Sequence, residues 1–69
     1  MSKKVLITGA TGDTGRAAVR ESLALGLQVR AMVRRIDARS DALAAQGAEI
    51  VVGDLLDINT ITPALAGID

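Results

Sequence analysis

Three short apolar runs, KKVLIT (Lys3 to Thr8), LQVRAMVRR (from Leu27) and AEIVV (Ala48 to Val52), alternate with two segments of helical character. Each helical segment stops at a glycine, Gly26 or Gly47. Strands joined through helices run parallel, because the helix returns the chain to the starting end of the sheet, and such crossovers are right-handed. The alternation therefore predicts an α/β fold: a three-stranded parallel sheet in the order 3-2-1 with flanking helices, the first half of a doubly wound sheet.

The details of each run support that reading. KKVLIT is rich in β-branched residues and almost continuously apolar, as a strand covered on both faces should be. DTGRAAVRESLAL, Asp13 to Leu25, carries an apolar stripe at helical spacing, with Gly26 where a left-handed residue ends a helix. From Leu27 the second strand alternates, Leu27, Val29, Ala31 and Val33 on one face and Gln28, Arg30, Met32 and Arg34 on the other. SDALAAQ reads as a short helix with Ser40 at its N-cap and Gly47 as its stop. In the tail, LLDINTITPALAGID, Pro63 would break a helix running straight through. Either Asp57 caps a first turn, or Thr62 caps a shorter helix with Pro63 at its first position; Gly67 ends it in both cases.

A chain of 69 residues supports one small core, since at this size only about 60% of the unfolded surface is buried. The apolar fraction is 49% with no Phe, Tyr or Trp, so that core consists of Val, Leu, Ile, Ala and Met. Without Cys there is no disulfide or thiolate nucleophile, and without His the commonest metal ligand and proton shuttle is missing. Eight basic and eight acidic residues cancel, which argues against nucleic acid or a membrane surface as partner and for a small molecule. The opening apolar run is too short for a signal peptide and no run reaches transmembrane length, so a soluble, cytoplasmic protein is expected.

Between the first strand and the first helix lies ITGATGDTG, with Gly9, Gly12 and Gly15 three residues apart. A helix N-terminus offers unpaired N–H groups and a partial positive charge, so a strand that enters a helix through glycines is built to hold an anion. The three glycines can serve in order as the tight turn, the point where phosphate touches backbone, and the place where helix and strand approach closely. The spacing is one residue longer than G-x-G-x-x-G, and no Gly-Lys-Ser/Thr follows as in a triphosphate loop. A structural turn remains the alternative to a phosphate cradle. The strand before it and the helix after it favour the cradle.

The end of the second strand is where dinucleotide folds read the adenosine ribose, an acid there choosing NAD and an arginine NADP. This chain has Arg34 and Arg35 at that point, which favours NADP over NAD, with Arg39 as an accessory. After the third strand, Asp54 either accepts a hydrogen bond from adenine, with Leu55 packing on the ring, or acts only as a turn residue.

TGATGDTG, VRAMVRR and GAEIVVGDLLD together resemble the NmrA-like, atypical short-chain dehydrogenase/reductase proteins, which include NADP-dependent quinone reductases and isoflavone-reductase-like enzymes. The resemblance covers almost the whole chain and implies a Rossmann fold. It further implies that Gly9, Thr11, Gly12, Asp13, Thr14 and Gly15 line the pyrophosphate and nearby ribose. Arg34 and Arg35 would then meet the 2′-phosphate, and Asp54 and Leu55 would border adenine. Asp13 departs from the family pattern, in which a neutral or basic side chain often stands in the turn; a carboxylate there suits the helix dipole but repels pyrophosphate if it points inward. Residues 1–69 correspond to the N-terminal half of the family's NAD(P)-binding domain, ahead of its nicotinamide and substrate sites.

The expected function is thus the ADP-ribose-binding segment of an NADPH-dependent oxidoreductase of quinone-reductase type. Catalysis by these residues alone is not expected, as they contain no Tyr, Cys or His and no lysine beyond Lys3 and Lys4. The alternatives are a redox-sensing NADP-binding module of NmrA type and a structural or designed fragment without activity. With no strand on its far side, the first strand would form an open apolar edge, inviting a homodimer through strand pairing.

Overall fold

The computed structural model describes residues 3–69. Strand β1 (Lys4–Ile7) leads to helix α1 (Asp13–Ala24), β2 (Gln28–Val33), α2 (Ala38–Ala45), β3 (Glu49–Val52) and α3 (Ile58–Ala64). The strands form one parallel sheet with β2 in the middle, Val5 beside Val29 and Ala31 beside both Ile7 and Ile50. This is the order expected from the alternation, read from the opposite edge.

The two faces of β2 sort as its alternation predicts. Val29, Ala31 and Val33 are buried with Ala10, Val19, Leu43 and Ala48, and Val5, Ile7, Leu23 and Ile50 pack around them. In α1 the buried positions Gly15 and Val19 are four apart, and Leu23 extends the same stripe toward the sheet. Val19 and Leu43 are the largest apolar side chains fully withdrawn from water, and burial of each contributes roughly 1.5–3 kcal/mol. On the other face Arg30 reaches α3, donating from Nη1 to the carbonyls of Ala64 at 2.7 Å and Ala66 at 2.6 Å. Ala64 is the last residue of the helix and Ala66 lies just past its C-cap, so the guanidinium supplies partners that the helix cannot. Arg30 Nε also bonds Glu49 Oε2 at 2.6 Å, and Lys4 Nζ lies 3.2 Å from the same oxygen.

The glycine stops do what sequence assigns them. Gly26 (φ 82°) follows α1, its N–H bonding the Leu23 carbonyl while the Leu27 N–H bonds that of Ser22; Gly47 (φ 112°) repeats the arrangement after α2. One cap differs from expectation, and the structure chooses between two alternatives for another. The N-cap of α2 is Asp37, three residues earlier than expected, and Ser40 is the third helical residue, its hydroxyl accepting from the Asp37 N–H at 2.9 Å. Asp37 prevails because the two residues satisfy each other's backbone reciprocally, which Ser40 as N-cap could not do. In the tail Asp57 is the cap, accepting from the Asn59 N–H, while the Thr62 hydroxyl turns back to the Ile58 carbonyl. Pro63 lies inside α3 but in its last turn, where the helix ends one residue later; Leu65 is the C-cap and Gly67 (φ 77°) lies two residues beyond it.

Alternate residues of a parallel strand direct their N–H and C=O to the same side. On β1 the outward set includes Lys4 and Leu6. Asp69 meets the first of these, its N–H bonding the Lys4 carbonyl at 3.1 Å and its Oδ2 accepting from the Lys4 N–H at 2.7 Å. The tail therefore returns across the sheet to the edge of β1 opposite β2.

Candidate functional site

All three strands end on one side, and the loops that follow them enclose an open cleft of about 630 Å³. Gly9 and Thr11 come from the loop after β1, Met32 to Arg35 from the end of β2, Asp37 and Arg39 from the start of α2, and Gly53 to Leu56 from the end of β3. Ligands bind in open α/β sheets at the carboxyl ends of the strands, so the cleft lies where the topology calls for a site.

Each glycine of the first loop does a distinct job. Gly9 turns the chain at φ 59°, in the left-handed region that glycine enters without a steric penalty. Gly12 is the N-cap of α1 and offers no side chain, so no side chain caps the first-turn N–H groups of Asp13, Thr14 and Gly15. By contrast α2 and α3 are capped by Asp37 and Asp57. Gly15 lies against the loop: a Cβ there would collide with the Gly9 carbonyl and stand 2.7 Å from Ala10 Cα. Bare backbone at the start of a helix, held close to a strand end, has the donors and the room that a phosphate needs.

Asp13 is turned away from the cleft. Its carboxylate is 97% exposed and pairs with Arg16 at 2.6 Å on the outer side of α1, where it borders a separate depression with Arg16, Ala17, Arg20 and Gln46. The repulsion that an inward carboxylate would bring is therefore absent. Thr14 is exposed in the first turn of α1.

At the end of β2, Arg34 and Arg35 are both exposed on the wall of the cleft. Arg34 has no ion-pair partner among the described residues, whereas Arg35 Nε lies 3.6 Å and Arg39 Nη2 3.4 Å from Asp37 Oδ2. Asp37 Oδ1 accepts from the backbone N–H groups of Arg39 at 3.0 Å and Ser40 at 3.2 Å. The Ser40 N–H holds the Asp37 carboxyl below the ordinary aspartate range, with the Arg39 N–H and guanidinium adding to it against a smaller opposing effect of desolvation. At the end of β3, Asp54 fills the turn role, its Oδ1 accepting from the Leu56 N–H at 2.9 Å, and it borders the cleft as well. Thr60 steadies it by accepting from the Asp54 N–H at 2.9 Å.

The cleft thus gathers Gly9, Thr11, Arg34, Arg35, Asp54 and Leu55, while Gly12, Asp13, Thr14 and Gly15 form the adjoining start of α1. Met32, Val33, Asp37 and Leu56 also line it without having been singled out by sequence. For Asp37 a signal existed, since Asp-x-x-Ser is a helix-start pattern that would have put its carboxylate beside the arginines.

A family model described as the NmrA-like family matches residues 1–69. Over 64 residues the chain is 44% identical to Photosystem II assembly factor Ycf39 of Trieres chinensis, a match covering 93% of this chain and 20% of that protein. It is 46% identical over 66 residues to sterol demethylase protein B of Methylococcus capsulatus, covering 93% of this chain and 19% of that protein. Among solved structures, an isoflavone reductase superposes with a TM-score of 0.85 at 31% identity, covering 100% of this chain and 25% of that one. The chain spans no more than 20% of the length of these two curated relatives. Because the family match runs its full length and the fold agrees with that of isoflavone reductase, the chain belongs to the NmrA-like family of Rossmann-type, NAD(P)-binding proteins.

Proposed function

We propose that residues 1–69 hold the ADP-ribose side of NADP(H), in preference to NAD(H), as the N-terminal part of an oxidoreductase of quinone-reductase type. The observation that carries this reading is Arg34, without an ion-pair partner among the described residues, lining the same cleft as Arg35 and the glycine loop. A guanidinium forms parallel charge-assisted bonds to phosphate, and no free acid stands at the end of β2 to receive ribose hydroxyls. The residues fit the group: the glycine loop and the uncapped start of α1 would take pyrophosphate, Arg34 and Arg35 the 2′-phosphate, Asp54 and Leu55 the adenine. When bound, the nicotinamide would supply hydride to a small acceptor such as a quinone, beyond the part of the site built by these residues.

Titration with 2′,5′-ADP and 5′-ADP tests the reading. The chain should prefer 2′,5′-ADP, and Arg34→Ala should weaken that ligand by about tenfold or more while changing 5′-ADP by less than about twofold. Equal binding of the two nucleotides by the unmodified chain would refute it. A regulatory module that binds the dinucleotide without turning it over is the second reading, favoured by the likeness to proteins named as assembly factors. Binding of NADPH without its consumption in the presence of quinone, measured on the full-length protein, would select it. The outer edge of β1 adds a proposal about assembly, that the 69-residue chain pairs there with a second copy of itself.

A further inference from the structure

Asp37 is joined to the cleft in two directions. Oδ1 is committed to the first turn of α2 through the Arg39 and Ser40 N–H groups, so the carboxylate cannot swing away. Oδ2 projects to the cleft side, where Arg35 and Arg39 approach it from separate positions at 3.6 Å and 3.4 Å. Both arginines are largely exposed, with 79% and 59% of the side chain accessible, while Asp37 is at 27%. The anchored member of the trio is therefore the acid, and the guanidinium groups are the solvent-exposed ones.

We propose that Asp37 is a specificity-determining residue of the cleft, a resident anion that holds Arg35 and Arg39 and that an incoming 2′-phosphate must displace as their partner. The inference rests on the 2′-phosphate reading given above and assigns the residue that sets its stringency. A neutral ribose hydroxyl cannot compete with a carboxylate for two guanidinium groups, whereas a phosphate dianion can. The same carboxylate is also unavailable to ribose hydroxyls as an acceptor, because its oxygens are taken by the helix start and by the arginines. Asp37 thus opposes NAD binding by withholding an acceptor and restrains NADP binding by occupying its cations. Because the arginine pairs are exposed, the restraint is modest and falls as salt rises.

The test compares the unmodified chain with Asp37→Asn and Asp37→Ser, both of which keep an N-cap oxygen for α2 while removing the charge. Affinities for 2′,5′-ADP and 5′-ADP are measured by calorimetry at low and high salt. Both variants should bind 2′,5′-ADP about fivefold more tightly at low salt. The gain over 5′-ADP should shrink at high salt, and folding is checked by circular dichroism. If the unmodified chain shows no preference for 2′,5′-ADP, the 2′-phosphate assignment fails and takes this inference with it. If the preference is present but both folded variants keep the original ratio or lower it, Asp37 is a helix cap alone and only this inference falls.

Discussion

At Gly15 the need for glycine is steric rather than conformational. Its backbone dihedrals are helical, yet an added Cβ would run into the Gly9 carbonyl and the Ala10 backbone, neither of which can move without opening the junction of β1 and α1. Gly15→Ala should therefore destabilise the fold by about 1–3 kcal/mol, measured as a lowered midpoint in urea or heat. Gly12 behaves differently, because a Cβ there would meet only the Gly9 carbonyl, at 3.4 Å, which is ordinary contact. Gly12→Ala should fold almost normally but bind 2′,5′-ADP more weakly, as its methyl covers backbone at the helix start. Similar losses of stability in the two variants would show that the loop is built for packing and not for a ligand. Asp13 makes the complementary point at the same scale: its type and position left its direction open, and the Arg16 side chain one turn along settled it.

Among the elements, α3 depends most on a single distant side chain. It is short, contains Pro63 and buries only Ala64, so its own propensity is weak. Its C-terminal end is held by Arg30, from 34 and 36 residues away. Arg30→Met keeps much of the apolar stem but removes both carbonyl bonds and the Glu49 pair. It should cost about 1.5–3 kcal/mol and speed hydrogen exchange in α3 well beyond that in α1; uniform exchange across the two helices would contradict this. Two carboxylates tie elements to pH. Arg30 first and Lys4 second hold Glu49 below the ordinary glutamate range, and the Ser40 N–H first does the same for Asp37. A carboxyl lowered in the folded state binds its proton less readily there than in the unfolded chain. Its stabilising effect is thus complete at neutral pH and is lost as pH falls through the folded-state value. Stability should decline below about pH 4.5, and the decline should be shallower in Glu49→Gln; a melting temperature flat from neutral pH to pH 3 would overturn the assignment.

For the molecule as a whole, the consequential feature is the outer edge of β1. Asp69 satisfies Lys4 there, but Leu6 directs its peptide groups outward one step further along an apolar strand. Unpaired strand edges of this kind recruit other strands. The 69-residue chain should sediment with a mass that rises with concentration, and Leu6→Lys should return it to the monomer; a monomer at every concentration would remove the pairing proposal.

Much of the architecture was legible because it rests on local pattern. The alternation of strand and helix runs implied parallel pairing and strand order, the period of two in β2 assigned Val29, Ala31 and Val33 to the main core, and Gly26 and Gly47 marked helix ends. The candidate site was legible to the same extent: Gly9, Thr11, Arg34, Arg35, Asp54 and Leu55 stand at strand ends, and strand ends in a parallel sheet share one side. Asp37 rather than Ser40 as cap, Asp57 rather than Thr62, and the outward turn of Asp13 are settled by partners two or three residues away, where the sequence offered more than one local option. The reach of Arg30 to α3, across 34 and 36 residues, is what only the tertiary structure decided. Sequence by itself thus determined the framework and the side of the sheet on which the candidate site lies, because hydrophobic periodicity and glycine turns act within a few residues. The tertiary structure decided the long-range charge pairing, because Arg30 and Lys4 meet Glu49 only when the three strands lie side by side.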